Sequence, residues 1–127
     1  MKVSKQTEEW FKQAEYDLGT AEAMFRTRRY IYTVFMCHLC LEKALKGILA
    51  GQGQILPKSH DLIFLLDRIG TEVPEQHAEF LEMLNDVSVP TRYPDELARL
   101  MAQYPRKRAT EILQRCREVY KWLKNCL

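Results

Sequence analysis

His60 and Asp61 stand side by side just after a stretch broken by Gly51, Gly53 and Pro57, and they make a possible acid/base pair. Histidine titrates near neutral pH, so His60 suits proton transfer or contact with a ligand. Asp61 falls in the first turn of the helix that follows, where a carboxylate favours the positive helix end. No nucleophile adjoins the pair, so a capping role and a substrate contact both stay open. A second group lies in Pro90-Thr91-Arg92-Tyr93-Pro94-Asp95. Two prolines hold this piece out of a continuous helix. From such a loop Arg92 could bind phosphate bidentately, and Tyr93 could stack on a base or donate a hydrogen bond. A structural account competes with this one: Arg92 bridging to an acid, Tyr93 closing the edge of the core, Asp95 capping a helix.

Cys37-His38-Leu39-Cys40 carries thiols and an imidazole of the kind that suits zinc. The cluster sits in the middle of the most apolar segment without a second ligand pair, so burial in the core is the expectation. Lys43 and Lys46, three residues apart, are expected along the exposed edge of the same helix. With Arg26, Arg28 and Arg29 they either line a shallow anion-binding surface or are simply solvated. His77, between Gln76 and Ala78, reads as a surface residue. The phosphate-cradling glycine loops, the HExxH metalloprotease helix and the GxSxG elbow are all absent from the chain. No cofactor and no metal site is therefore implied.

The elements that must position these groups are helical. Trp10, Ala14, Asp17 with Leu18, Ala21 and Met24 with Phe25 recur at steps of three and four, which predicts a first helix from Thr7 to about Arg26 with one wet face. Tyr30, Val34, Cys37, Leu41, Leu45 and Ile48 predict a second, to about Leu49, apolar over so wide a surface that several neighbours must enclose it. Glu42 and Lys46 on it stand four apart in the favourable order. Ser59 is the expected cap of a short third helix, with Leu62, Leu65, Leu66 and Ile69 inside and Gly70 at its end. Pro74 opens a fourth, holding Phe80, Leu81, Leu84 and Val87. Asp95 to Gln103 is a turn or a short helix capped by Asp95, and Pro105 opens a long last helix through Ala109, Ile112, Leu113, Cys116, Val119 and Leu123. No run alternates with the period of a strand. The predicted fold is all-α: an up-and-down antiparallel four-helix bundle with an additional helix, in a single domain spanning residues 1–127.

Composition agrees. With 46% apolar and 28% charged residues, the 127-residue chain is an ordinary globule and not a disordered one. Without a signal-like N-terminus or a membrane-length apolar run, the expected compartment is the cytoplasm, where the four cysteines would stay reduced. Residues 60–104 hold nine acids against three bases, whereas residues 105–127 hold seven bases against two acids. The basic last helix therefore faces a phosphate backbone, an acidic partner, the acidic segment of its own chain, or solvent.

Taken in order, Trp10 with Ala14 and Asp17-Leu18, then Glu42-Lys43-Ala44-Leu45-Lys46, then His60-Asp61-Leu62, then Arg92-Tyr93-Pro94-Asp95 form a pattern that resembles the HEPN family, the higher eukaryotes and prokaryotes nucleotide-binding domain, over nearly the whole chain. The resemblance implies an antiparallel four-helix core with an extra helix, assembled as a homodimer. It also implies a minimal nucleotidyltransferase as partner, in some members as a toxin–antitoxin pair, and contact with nucleotide or RNA. In the family's ribonuclease branch an arginine, matched here by Arg92, is followed after four to six residues by a histidine. Leu97, Ala98 and Arg99 occupy that place here. The chain thus resembles the accessory members without cleavage activity, and Lys43, His60, Asp61, Arg92, Tyr93 and Asp95 are the residues the match assigns to nucleotide or partner binding. A metal-independent ribonuclease toxin with an atypical site built on Arg92 and His60, and a purely structural subunit, are the alternatives.

Overall fold

A computed structural model describes residues 3–87 and 94–127 of the chain. Three long helices carry the fold. The first, α1 (Lys5–Arg26), begins at Ser4, whose hydroxyl accepts from the Thr7 backbone N–H at 3.1 Å and so satisfies one of the free donors of the first turn. Its inward stripe is Thr7, Phe11, Ala14, Asp17 and Ala21. Phe11 and not Trp10 takes the inner position, and Trp10 is half-buried beside it. After three residues the chain returns as α2 (Tyr30–Gly51), and the Thr7 hydroxyl donates to the Gly47 carbonyl at 2.8 Å, so the two helices run antiparallel. Small residues make this contact close: Ala14 and Ala21 are fully buried, and Gly47 lies against Phe11 and Trp10.

The last helix, α6 (Arg106–Asn125), packs on the other side. Arg117 pairs with Glu22 at 3.2 Å and Lys124 with Glu15 at 3.1 Å, an ordering that fixes α6 antiparallel to α1. Arg106 meets Tyr30 and Cys116 meets the Cys37 carbonyl, so α6 is parallel to α2. Val34, Leu41, Leu45 and Leu49 of α2 and Ile112, Val119 and Leu123 of α6 are the interior of the bundle. Removing such side chains from water is the main stabilising term, at roughly 25 cal/mol per Å² of apolar surface.

The wide apolar face of α2 is closed by shorter elements. α3 (Leu62–Ile69) lies on α2 and ends at Gly70, whose φ of 74° is the left-handed conformation that glycine adopts without steric cost. α4 (Glu75–Asn85) packs on α3 and α2, with Pro74 as its cap and not its first residue. α5 (Pro94–Gln103) contacts α2. The stretch expected as a turn or short helix is thus a ten-residue helix, and Asp95 lies in its first turn and not at its cap. The described residues form six helices and no strand, an all-α bundle. No helix among them is long and apolar enough to cross a membrane. The start of α1 and the end of α6 come together: Val3, Ser4, Cys126 and Leu127 line one shallow cavity.

Candidate functional site

The charged centre of the site is Glu42. Midway along α2, it has His38 one turn before it and Lys46 one turn after it on the same face, as the four-residue spacing requires. Only 4% of Glu42 is exposed, which is tolerable for a carboxylate because each of its oxygens finds a donor. The Lys46 ammonium lies 3.2 Å from Oε2, and His60 Nδ1 lies 3.0 and 3.1 Å from the two carboxylate oxygens. Lys46 is itself buried, so it is not on the exposed edge expected of it. The His60 ring is 72% exposed. A buried carboxylate therefore orients an imidazole that faces water. With Nδ1–H donated to Glu42, Nε2 is the acceptor of the neutral ring and a second donor once the ring is protonated.

A second set of bonds fixes the backbone beneath His60. Asp61, not Ser59, is the cap of α3, with Oδ1 accepting from the Ile63 and Phe64 N–H groups at 3.0 and 3.1 Å. The same oxygen accepts from the Asn85 amide at 2.9 Å, and Asn85 Oδ1 accepts from Leu62 N–H at 2.8 Å. Ser59 contributes by accepting from the Asp61 N–H at 3.0 Å. The Phe64 N–H, with help from Asn85, holds the Asp61 carboxyl below its usual range. Its chemistry is that of a permanent acceptor, and its effect is to clamp the start of α3 to the end of α4.

His38 is the second imidazole beside Glu42. It is 1% exposed, its Nδ1 is 3.8 Å from Glu42, and neither ring nitrogen has a hydrogen-bond partner among the described residues. Burial pushes its pKa down, with the Glu42 charge opposing. Because the folded value lies below the unfolded one, this histidine supplies stability that is complete above its ordinary value of about 6.5 and is lost as pH falls below it. The urea midpoint should therefore drop between about pH 7 and 5, and His38→Leu should flatten that drop. An unchanged slope in the variant would remove His38 as its source; burial shifts His77 the same way, and it would be the next to test.

The other sequence-expected residues are placed as follows. The Lys43 ammonium lies 2.8 Å from the buried Asp17 carboxylate, so it joins α2 to α1 and does not meet His60. Asp95 is exposed on α5. Arg92 and Tyr93 lie outside the described residues. Cys37, Cys40 and Cys116 are buried together, and hydrogen bonding with Cys37 and Cys40 holds the Cys116 thiol well above its usual value. His77 is half-buried, its ring 5.4 Å from Trp122, and not a free surface group.

The family model described as HEPN domain matches residues 7–126. The chain belongs to the HEPN domain family. Among solved structures, TT1696 from Thermus thermophilus is 27% identical, with a TM-score of 0.85 over 98% of this chain and 100% of that one. ST0689, described as an archaeal HEPN homologue, is 30% identical, with a TM-score of 0.77 over 96% of this chain and 98% of that one. No curated protein matches the chain. Within this HEPN domain the hub of the site is Glu42, which the sequence offered as half of a helical charge pair and as the first residue of the Glu42-Lys43-Ala44-Leu45-Lys46 stretch, and Asn85, which had no signal of its own.

Proposed function

We propose that this HEPN protein is a non-cleaving homodimer that pairs with a minimal nucleotidyltransferase and binds nucleotide or RNA near His60. The observation that carries the reading is the state of α5. Leu97, Leu100 and Met101 follow one stripe of α5; Leu97 and Leu100 are half-buried, Leu100 against the core, while Met101 is 57% exposed. An exposed methionine at the edge of a partly covered apolar stripe is a place for a partner to complete the burial. Leu97 and Ala98 also stand where the ribonuclease branch would carry its histidine, so this helix offers a contact surface in place of an imidazole. Light scattering should give a dimer mass, Met101→Glu should give a monomer, and the dimer should co-purify with the nucleotidyltransferase. A wild-type monomer that captures neither the partner nor a nucleotide sinks the reading.

The Glu42–His60 pair favours one other reading, an atypical ribonuclease in which Arg92 holds the phosphate, His60 takes the proton of the 2′-hydroxyl as it bonds to phosphorus, and the 5′-oxygen leaves as its P–O bond breaks and takes that proton back from the imidazolium. Cleavage by the isolated chain that disappears in folded His60→Ala would establish it. Binding without cleavage supports the assembly role.

A further inference from the structure

We infer that the end of the bundle formed by the α1–α2 turn and the start of α6 is a binding surface for the phosphate backbone of single-stranded RNA, separate from the His60 site. Because α2 and α6 are parallel, their first turns come together there. Six cations meet at this pole: Arg26, Arg28 and Arg29 from the turn, and Arg106, Lys107 and Arg108 from α6. All six are exposed, and none has a carboxylate within ion-pair distance among the described residues. Folded chains commonly place acids in the first turn of a helix, where the helix end is positive. The first turns of α2 and α6 carry no acid.

Three of the six cations are held in place. Arg29 donates to the Thr27 carbonyl at 3.2 Å and Arg108 to the Gln103 carbonyl at 3.2 Å. Arg106 donates to the Tyr30 hydroxyl at 3.4 Å with its guanidinium 4.9 Å from the Phe25 ring centre. Arg108 lies 4.6 Å from the Tyr104 ring centre. Each partner is neutral, so each guanidinium is fixed in place with its charge unspent and donors left over. Arg28 adds an independent observation: its φ is 64°, a conformation strained for any residue with a Cβ and natural for glycine. An arginine stands in this turn at the cost of that strain.

An adjacent cleft explains why a single strand fits better than a duplex. Arg28, Arg29, Tyr30 and Tyr32 line one side of it and Leu97 and Met101 of α5 the other, and Tyr32 is 45% exposed. A cationic track bordered by an exposed aromatic ring is what a backbone with unpaired bases requires: phosphates on the guanidiniums and a base on the ring. Glu42 lies twelve residues along α2 from Tyr30, about 18 Å at the rise of a helix, so the two sites are distinct.

The test uses the full chain, a labelled oligouridine of about 12 nucleotides and fluorescence anisotropy over a range of salt. Arg28→Gly with Lys107→Gln removes two charges, relieves the strained turn and touches no described hydrogen bond. The double variant should keep or raise Tm, bind about tenfold more weakly, and show a salt slope smaller by about 1.4, the value for two lost contacts on a single strand. Unchanged affinity and slope overturn the inference. So does an equal loss in His60→Ala with none in the double variant, which would place the RNA at the other site. A polyglutamate peptide that displaces the RNA at equal charge concentration would make the pole a docking site for an acidic protein and overturn the inference as well. The inference and the assembly reading share the Met101 edge of this cleft but differ in outcome: a monomer that binds RNA here defeats only the assembly reading, and a dimer that takes its nucleotidyltransferase but no RNA defeats this inference.

Discussion

Glu42→Leu is expected to destabilise the domain by about 3–5 kcal/mol, measured as a fall in the urea-derived unfolding free energy. The loss comes from what the substitution leaves behind. Lys46 is buried, and its ammonium has Glu42 as its anionic partner at 3.2 Å, so the variant strands an uncompensated charge in the interior. The same physics sets the control. Adding Lys46→Met removes the stranded charge, and the double variant should recover most of the lost stability, since an apolar pair in place of a buried ion pair is often neutral or better. It should nevertheless leave His60 without the carboxylate that orients it. A protein that is stable again but has lost nucleotide affinity would separate the role of Glu42 in the site from its role in the fold. If Glu42→Leu is as stable as the natural chain, the pair is solvated and the site has been misread.

Gly47→Leu should be nearly as damaging, by about 3 kcal/mol, for a steric reason. A Cβ built at Gly47 meets Phe11 ring carbons at 2.9 and 3.0 Å and the Trp10 Cβ at 3.0 Å, distances that force α1 and α2 apart. The ring of Phe11 is buried and cannot swing away without opening the core around Tyr120, 5.9 Å distant. Separation would also stretch the Thr7–Gly47 hydrogen bond. Equilibrium unfolding in urea should show the lower midpoint with the same m-value. Unaltered stability would mean that the hairpin of α1 and α2 can widen at little cost.

The periodicity of apolar residues was enough to locate the helices, because burial of one stripe is a property of nearest turns and is written in each segment separately. It placed Ala14, Leu41, Leu45, Leu65 and Leu123 in the core, where they are. It was off by one on α1, where Trp10 is the larger side chain but Phe11 has the inner place beside Gly47. It also undervalued α5, whose stripe is short and bounded by prolines. The site was legible in part. His60-Asp61 stood out by residue type, but their partners did not: Glu42 is eighteen residues from His60, and Asn85 twenty-four from Asp61. Lys43 and Lys46 show the limit well. Alike in sequence, they point to different neighbours, one to Asp17 across the α1 contact and one to Glu42.

The meeting of the two ends has a kinetic side. Glu15 and Lys124 touch across 109 residues of sequence, among the most distant contacts available to this chain, whereas α1 and α2 pair through a turn of three residues. Loop-closure entropy falls on the former and hardly on the latter. The hairpin of α1 and α2 can therefore assemble as a local event, and the arrival of α6 is the step that closes the ring of the chain. With Val3 and Leu127 on one cavity, a short covalent link between the ends would remove much of that closure cost while leaving every helix its neighbours. The covalent order of the helices then governs how fast this bundle forms far more than how well it holds.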